Sequence, residues 1–312
     1  MSEQEHLWER RVITKLAQAS LNEQKRARRW SIFFKFLVFA YITFVLFMFL
    51  EPDMSKAQMA EKHSALVELQ GIIADDETAS ADNITSALRS AFEDAKTKGI
   101  ILRINSPGGT PVQAGYIYDE IVRLREKYPE TPLYAVVSDM AASGGYYVAS
   151  AADEIYASKS SIVGSIGVRM DSFGVVEAMK KLGIESRLLT AGENKALMDP
   201  FSPVDEDARK HLQSMIDGIH QQFIDAVKEG RGERLQESDD LFTGLIWTGV
   251  EALEYGLIDK IGSASFVARE VIGAEEIVEY SVEEDVLERL VDRLGASTAK
   301  TLSKAYLTPQ LH

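Results

Sequence analysis

The sequence predicts an α/β fold, because apolar runs of strand length alternate along the chain with amphipathic stretches of helix length. Gly99–Ile104 and Pro132–Val137 read as buried strands, and Val112–Tyr128 between them has helical spacing. The same reasoning predicts strands at Ser64–Ile73, Glu154–Ala157 and Val163–Val168, and helices at Ile84–Thr97, Phe173–Leu182 and Asp205–Lys228. A short helix from Thr248, ended by Gly256, leads into a last strand.

Composition places the chain among folded proteins and excludes one class of partner. The chain has 312 residues, 46% of them hydrophobic, which is enough to form a sizeable core. Its formal net charge is −14, and residues 1–50 carry eight Lys and Arg against four acids, so the remainder carries −18. Such an acidic body is unsuited to nucleic acid. There is no cysteine, which is compatible with an oxidising compartment.

An apolar segment near the N-terminus predicts a membrane anchor. Phe36–Leu50 holds no charged residue, and with residues 32–35 the stretch reaches 19 residues, near the ~20 that cross a bilayer. Basic side chains precede it and acidic ones follow it, an order that keeps the N-terminus cytoplasmic and exports the rest. A cleaved signal peptide is the alternative, but no small-x-small cleavage site follows the apolar run. The basic side chains are Lys25, Arg26, Arg28, Arg29 and Lys35.

These observations divide the chain into five predicted parts. Residues 1–30 form a basic cytoplasmic segment, 31–50 a transmembrane signal anchor and 51–63 a polar tether. Residues 64–282 form the folded domain, and 283–312 form a C-terminal tail. The tail is either an amphipathic helix that packs on a neighbouring subunit or a solvated extension.

The run Met140–Tyr147 predicts a nucleophile at Ser143. It sets one hydroxyl among small residues where a strand turns into a helix, so that Oγ is exposed and the following N–H points at the group under attack. The alternative is a small residue in a tight turn. The five histidines lie outside glycine-rich or strand-end contexts, which disfavours a Ser/His/Asp triad; they are His6, His63, His211, His220 and His312.

A lysine is the base that remains, and two glycines could complete the site. Lys195 ends a Gly-Glu-Asn-Lys run and precedes apolar residues, and a lysine acts as a base where burial disfavours its charged form. A plain surface lysine is the alternative. The N–H groups of Gly109 and Gly144 could hold an oxyanion, although Gly108 and Gly109 could equally serve a turn after Pro107.

Taken together, the motifs resemble those of the signal peptide peptidase A (protease IV) family in its short, single-anchor form. The resemblance covers Leu66–Gly262 and rests on the order Asn-Ser-Pro-Gly-Gly, Met-Ala-Ala-Ser-Gly-Gly-Tyr-Tyr, Val-Gly-Ser-Ile-Gly-Val, Gly-x-x-Lys and Gly-Leu-Ile-Asp. It implies a ClpP/crotonase-like fold of repeated ββα units and a catalytic pair of Ser143 with Lys195. It also implies oxyanion donors at Gly109 and Gly144, and a hydrogen bond from Ser165 to the lysine amine. Ser165 could instead be a turn serine.

The resemblance implies a membrane-anchored serine endopeptidase that degrades hydrophobic peptides such as signal-peptide remnants, with neither metal nor cofactor. It places the catalytic domain on the periplasmic side of the inner membrane. It further suggests a homo-oligomeric ring, an octamer, in which Lys195 reaches Ser143 of the adjacent subunit; the residues themselves leave open which subunit supplies the lysine. The rival functions are a crotonase-type acyl-CoA enzyme and a catalytically silent membrane scaffold.

Overall fold

The computed structural model describes residues 3–50, 62–236 and 238–281, with side chains left out at 3–13, 17 and 45–50. The chain divides into two compact units, Met1–Met59 and Ala60–His312. Most of the predicted tether and the whole predicted tail therefore lie outside the described residues.

The first unit is a single helix, α1, which runs over Glu3–Leu50 and includes the predicted anchor. Its described side chains are exposed, and Trp30 lies 5.8 Å, between ring centroids, from Phe33 and from Phe34. Within the part of the chain that the structure describes, no helix combines the length and the apolarity that a membrane crossing requires.

The second unit is built on one eight-stranded sheet. Its strand order is β6-β5-β3-β2-β1-β8, with β4 joining β3 to β7. Every pairing is parallel except that of β5 with β6, which confirms the predicted α/β fold with a parallel-rich sheet. The strands are β1 His63–Gln70, β2 Thr97–Ser106, β3 Leu133–Ala142, β4 Glu154–Ala157, β5 Ile162–Gly164, β6 Ile246–Thr248, β7 Lys260–Ile261 and β8 Ile277–Glu279.

Helices connect these strands and bury their apolar faces against the sheet. In the helix after β1, the buried residues Ile84, Leu88 and Phe92 recur at a spacing of four, as an amphipathic helix requires. The helix after β2 has proline in its first turn, where no backbone N–H is needed. The helices are α2 Ala81–Glu93, α3 Pro111–Lys127, α4 Gly144–Ala149, α5 Val176–Leu182, α6 Glu206–Arg231, α7 Gly249–Glu254 and α8 Ala264–Phe266, which continues as a π-helical segment over Val267–Ile272.

Several predicted element ends were wrong, among them the strand predicted to reach Val168, which ends at Gly164. Two of the differences have a clear structural reason. The predicted strand that ended at Val137 continues to Ala142, because its first half pairs with β4 and its second half with β5. The helix predicted to reach Thr97 ends at Glu93, because the side chain of Asp94 accepts a hydrogen bond from the Lys96 N–H at 2.8 Å and turns the chain into β2. The first correction matters for the site, since it places Ser143 directly after a strand.

A buried ion pair fixes the C-terminal end of α6. The guanidinium of Arg231, fully buried, donates to both carboxylate oxygens of Asp259 at 2.8 and 2.9 Å. Burial raises the pKa of Asp259, but the hydrogen bonds and charge of Arg231 outweigh it, so that the pKa lies below its ordinary value. Asp259 also accepts from the Ile155 N–H at 2.7 Å, which ties α6 to β4. By contrast, nearly all of residues 169–195 and most of the first half of α6 are exposed.

Candidate functional site

Ser143 occupies a strained turn between β3 and α4. Its φ of 52° and ψ of −124° lie outside the regions that non-glycine residues favour, a conformation that costs about 1–3 kcal/mol unless its surroundings impose it. Its N–H donates to the Gly164 carbonyl at 2.8 Å, and its own carbonyl accepts from the N–H groups of Tyr146 and Tyr147 at 2.9 Å. The half-buried hydroxyl has no hydrogen-bond partner among the described residues. No neighbouring group therefore holds the hydroxyl in place.

Two unbonded N–H groups lie beside this hydroxyl. Ser106 pairs with Ala141 in the sheet, so the loop after β2 and the turn after β3 meet at one edge. A Cβ on Gly144 would stand 3.2 Å from the Gly109 nitrogen, and one on Gly108 would stand 2.7 Å from the Ser143 Cβ. Within the described residues, neither the Gly109 nor the Gly144 N–H donates to an acceptor. This geometry can hold an oxyanion.

The loop that carries Gly109 is fixed to Ile73, in the segment after β1, and to Ser106. The Ile73 N–H donates to the Gly108 carbonyl at 2.9 Å, and the Thr110 N–H donates to the Ile73 carbonyl at 2.8 Å. The Ser106 hydroxyl accepts from the Gly108 N–H at 3.1 Å. Sequence reasoning missed this supporting role of Ser106, although the Asn-Ser-Pro-Gly-Gly motif contains it. Because Gly108 has a φ of 105°, the same glycines also serve the turn that was the alternative interpretation.

Ser165 lies in a second strained turn next to the first. Its φ is 55°, and its N–H donates to the Leu245 carbonyl at 2.7 Å. A Cβ on the preceding Gly164 would lie 2.9 Å from Cδ1 of Trp247, so only glycine fits there. Nε2 of His220, on α6, lies 3.1 Å from the carbonyl oxygen of Ile166, the residue after Ser165. Sequence reasoning set His220 aside, and no local pattern could have related it to a residue 54 positions away.

Lys195 lies in a turn of the long segment between β5 and α6. Its side chain is exposed, and its amine has no hydrogen-bond or ion-pair partner in the described part of the chain. No hydrogen bond joins it to Ser143 or to Ser165 within one copy. The single chain thus assembles the predicted nucleophile and oxyanion donors at one edge of the sheet and leaves the predicted base outside. Over the described residues, no His, Asp and Glu side chains group as metal ligands.

Comparison with known proteins places the chain among peptidases. The model of peptidase family S49 matches residues 125–277, which include Ser143 and Lys195. A protein of Synechocystis sp. that is named as a protease is 31% identical over 202 residues, 65% of this chain and 70% of that protein. Protease 4 of Haemophilus influenzae is 34% identical over 217 residues, 68% of this chain and 35% of that protein.

A relative with a different kind of name also matches this chain over about two hundred residues. A Brucella abortus protein named Na(+)/H(+) antiporter NhaA is 44% identical over 196 residues, 63% of this chain. The match covers 26% of that longer protein. The chain thus spans about a quarter of the Brucella relative and about a third of protease 4.

Proposed function

Because the chain belongs to peptidase family S49, we propose that it is a membrane-anchored serine endopeptidase with Ser143 as nucleophile and Lys195 as general base. The observation that carries the proposal is the strained Ser143, with its free hydroxyl, beside two unbonded backbone N–H groups at the carboxyl edge of a parallel sheet. Ligands of open α/β folds bind at such an edge. The fold is of the ClpP/crotonase kind, which the parallel succession of β1, β2, β3 and β4 supports.

The proposed chemistry is acyl transfer. Neutral Lys195 takes the proton of the Ser143 hydroxyl, and Oγ attacks the carbonyl carbon of a peptide bond. The N–H groups of Gly109 and Gly144 donate to the oxyanion that forms, and Ser165 hydrogen-bonds the lysine amine. The protonated amine then passes its proton to the leaving amino group. Lys195 next activates a water molecule, which hydrolyses the acyl-enzyme and regenerates Ser143.

A second copy of the chain supplies the lysine in this proposal. Lys195 of a single copy is exposed, whereas a basic amine needs burial to lose its charge. The segment that carries it, residues 165–204, exposes large apolar side chains, among them Phe173, Leu182, Leu189, Phe201 and Val204. We call this segment the arm. An exposed apolar arm of this size marks a protein interface.

A receiving surface lies on the side of the unit formed by β6 and α7. It consists of the exposed side chains of Leu245, Ile246, Val250 and Leu253. The carbonyl of Leu245 accepts a hydrogen bond from the Ser165 N–H. An arm and a different receiving surface make a head-to-tail contact, which closes into a ring when the rotation allows. The ring that we propose is an octamer in which each arm brings Lys195 to the next copy's Ser143.

Location and substrate complete the proposal. The apolar run within 31–50 anchors the chain in the inner membrane, with the basic segment 1–30 in the cytoplasm and the peptidase unit outside. A site held near a membrane surface meets hydrophobic peptides such as signal-peptide remnants. Extended peptides of this kind bind by adding a strand to a sheet edge.

The test is hydrolysis of hydrophobic peptides by the full chain in detergent. Ser143→Ala and Lys195→Ala abolish hydrolysis, whereas the controls Ser160→Ala and Lys98→Ala, at exposed positions outside the arm and the receiving surface, leave it unchanged. A Ser143→Ala protein that still cleaves peptides contradicts the nucleophile assignment. Tight binding of a CoA ester by the wild-type chain, without peptide hydrolysis, would favour the crotonase-type alternative. An intact cellular phenotype in the Ser143→Ala strain would favour the silent scaffold.

A further inference from the structure

We propose that His220 is a positioning residue for the nucleophile and acts through the turn formed by residues 164–167. The inference rests on the proposed peptidase function and adds a residue to its site. His220 is remote in sequence from both serine motifs, and its role follows from contacts alone.

The two strained serines are linked directly. Ser143 and Ser165 are the non-glycine residues with positive φ in the described part of the chain, at 52° and 55°. The Ser143 N–H donates at 2.8 Å to the carbonyl of Gly164, the residue that precedes Ser165 in the chain. A shift of the second turn therefore moves the acceptor that holds the first. Such conformations persist only where several contacts impose them together.

One side of the 164–167 turn is held by β6 and the residues before it. The Ser165 N–H donates to the Leu245 carbonyl at 2.7 Å, and Gly164 lies against the indole of Trp247. Gly167 approaches closely too, since a Cβ there would lie 3.2 Å from the Gly244 Cα. These contacts tie residues 164–167 to β6 and to the residues before it.

His220 ties the same residues to α6. Its Nε2 lies 3.1 Å from the Ile166 carbonyl oxygen, and because a carbonyl only accepts, Nε2 carries the hydrogen. The helix that carries His220, α6, is anchored by the buried ion pair of Arg231 with Asp259, and Arg231 lies eleven residues after His220. His220 thus transfers the fixed position of α6 to the turn, and through Gly164 to Ser143.

The proposed role requires only that His220 donate a hydrogen bond, whereas a catalytic base must accept a proton. Neutral imidazole with a hydrogen on Nε2 and doubly protonated imidazolium both donate from that nitrogen. A glutamine also offers an N–H donor at similar reach, whereas a leucine offers none. A base, by contrast, cannot be replaced by glutamine.

The test compares His220→Leu and His220→Gln in the full chain, with His211→Leu as the control on the same helix. His211 is exposed and makes no side-chain hydrogen bond within the described residues. We expect His220→Leu to lower kcat for peptide hydrolysis about 3- to 10-fold, the loss expected for one hydrogen bond, with KM little changed. His220→Gln should restore most of kcat, and the shape of the pH-rate profile should match that of the wild type.

A second measurement keeps the inference testable if His220→Leu folds less well. Hydrogen exchange at the amides of Ser143 and Ser165 should quicken in His220→Leu and return toward wild-type rates in His220→Gln, while the remaining β3 amides stay protected. Wild-type kcat and wild-type exchange in His220→Leu would overturn the proposal. So would inactivity of His220→Gln with loss of a pH inflection, which would make His220 the base. If the wild-type chain hydrolyses no peptide and a fluorophosphonate leaves Ser143 unlabelled, the peptidase proposal itself fails, a result distinct from either.

Discussion

At the scale of single residues, the site depends on glycines, whose lack of a side chain lets neighbouring backbone segments come close together. Gly108, Gly109, Gly144 and Gly164 all approach neighbouring atoms so closely that an added Cβ would come within 3.2 Å or less of them. These approaches place two backbone N–H groups near one hydroxyl, which bulkier residues would prevent. The close packing also imposes the strained conformation on Ser143, since backbone and glycine atoms cannot adjust by changing rotamer.

Gly109→Ala tests whether this close approach is functional. A Cβ at position 109 would lie 2.0 Å from the Ile73 carbonyl oxygen, so the loop must move away from Ile73 and carry its N–H with it. Loss of one oxyanion donor typically lowers kcat by about 100- to 1,000-fold, and we expect a loss of that size in peptide hydrolysis. The matched control is Gly115→Ala in α3, where no atom lies within 4 Å of the added Cβ. That control should stay fully active, and an active Gly109→Ala would remove Gly109 from the site.

At the scale of elements, α2 and α3 are joined through one carboxylate. Glu120 on α3 is buried and accepts hydrogen bonds from Arg123 on its own helix and from Arg89 on α2. The hydrogen bonds from Arg123, with those from Arg89, outweigh burial and lower the pKa of Glu120 to about 2. Because α3 begins just after the loop of Gly109, this pairing helps to hold that loop in position.

The lowered pKa of Glu120 makes the free energy of unfolding of the second unit depend on pH in a definite direction. The folded state holds Glu120 ionised down to about pH 2, while the unfolded chain protonates it near its ordinary value of 4.5. The stabilisation is therefore complete above pH 4.5 and is lost as pH falls through 4.5 toward 2. Allowing for solvent screening at the half-exposed arginines, it amounts to about 1–2 kcal/mol.

Urea unfolding of the wild type and of Glu120→Gln measures this contribution. The difference in unfolding free energy should be largest at pH 7 and should shrink steadily between pH 4.5 and 2.5. A difference that stays constant over this range would mean that the charge of Glu120 contributes nothing. Glu130→Gln, at an exposed position, serves as the control and should show no such trend.

Elements with strong local patterns were predicted well, and those that depend on distant partners were not. The strand Glu154–Ala157 was predicted with its observed ends, and α3 differs by one residue at each end. The short strands β6 and β8 and the helix α8 were not predicted, because two or three residues carry no periodicity of their own. The two strands form because β5 and β1 offer them edges far away in sequence.

At the scale of the whole molecule, the same distinction applies to the site. The motifs around Ser143 and Gly109 could be related by sequence because both follow neighbouring parallel strands. The contact of His220 with Ile166 could not, because it depends on how α6 returns to the sheet. In the proposed ring, the position of Lys195 depends on yet another level of structure, the assembly, since its exposed amine has no partner among the described residues of one copy.

Mixing inactive protomers decides where the lysine comes from. Ser143→Ala and Lys195→Ala chains are each inactive alone, but a head-to-tail ring that contains both places an intact Lys195 arm beside an intact Ser143 at some interfaces. For equal amounts assembled at random, about a quarter of the interfaces pair the two intact residues, so we expect roughly a quarter of wild-type hydrolysis after dissociation and reassembly. The control mixes the Ser143→Ala chain with a chain that carries both substitutions, which forms no intact pair and should stay inactive. Phe173→Asp on the exposed arm should weaken assembly and hydrolysis together, because a charge there opposes burial at the interface. Complete inactivity of the first mixture, in particles shown by mass spectrometry to contain both chains, would mean that each copy completes its own site.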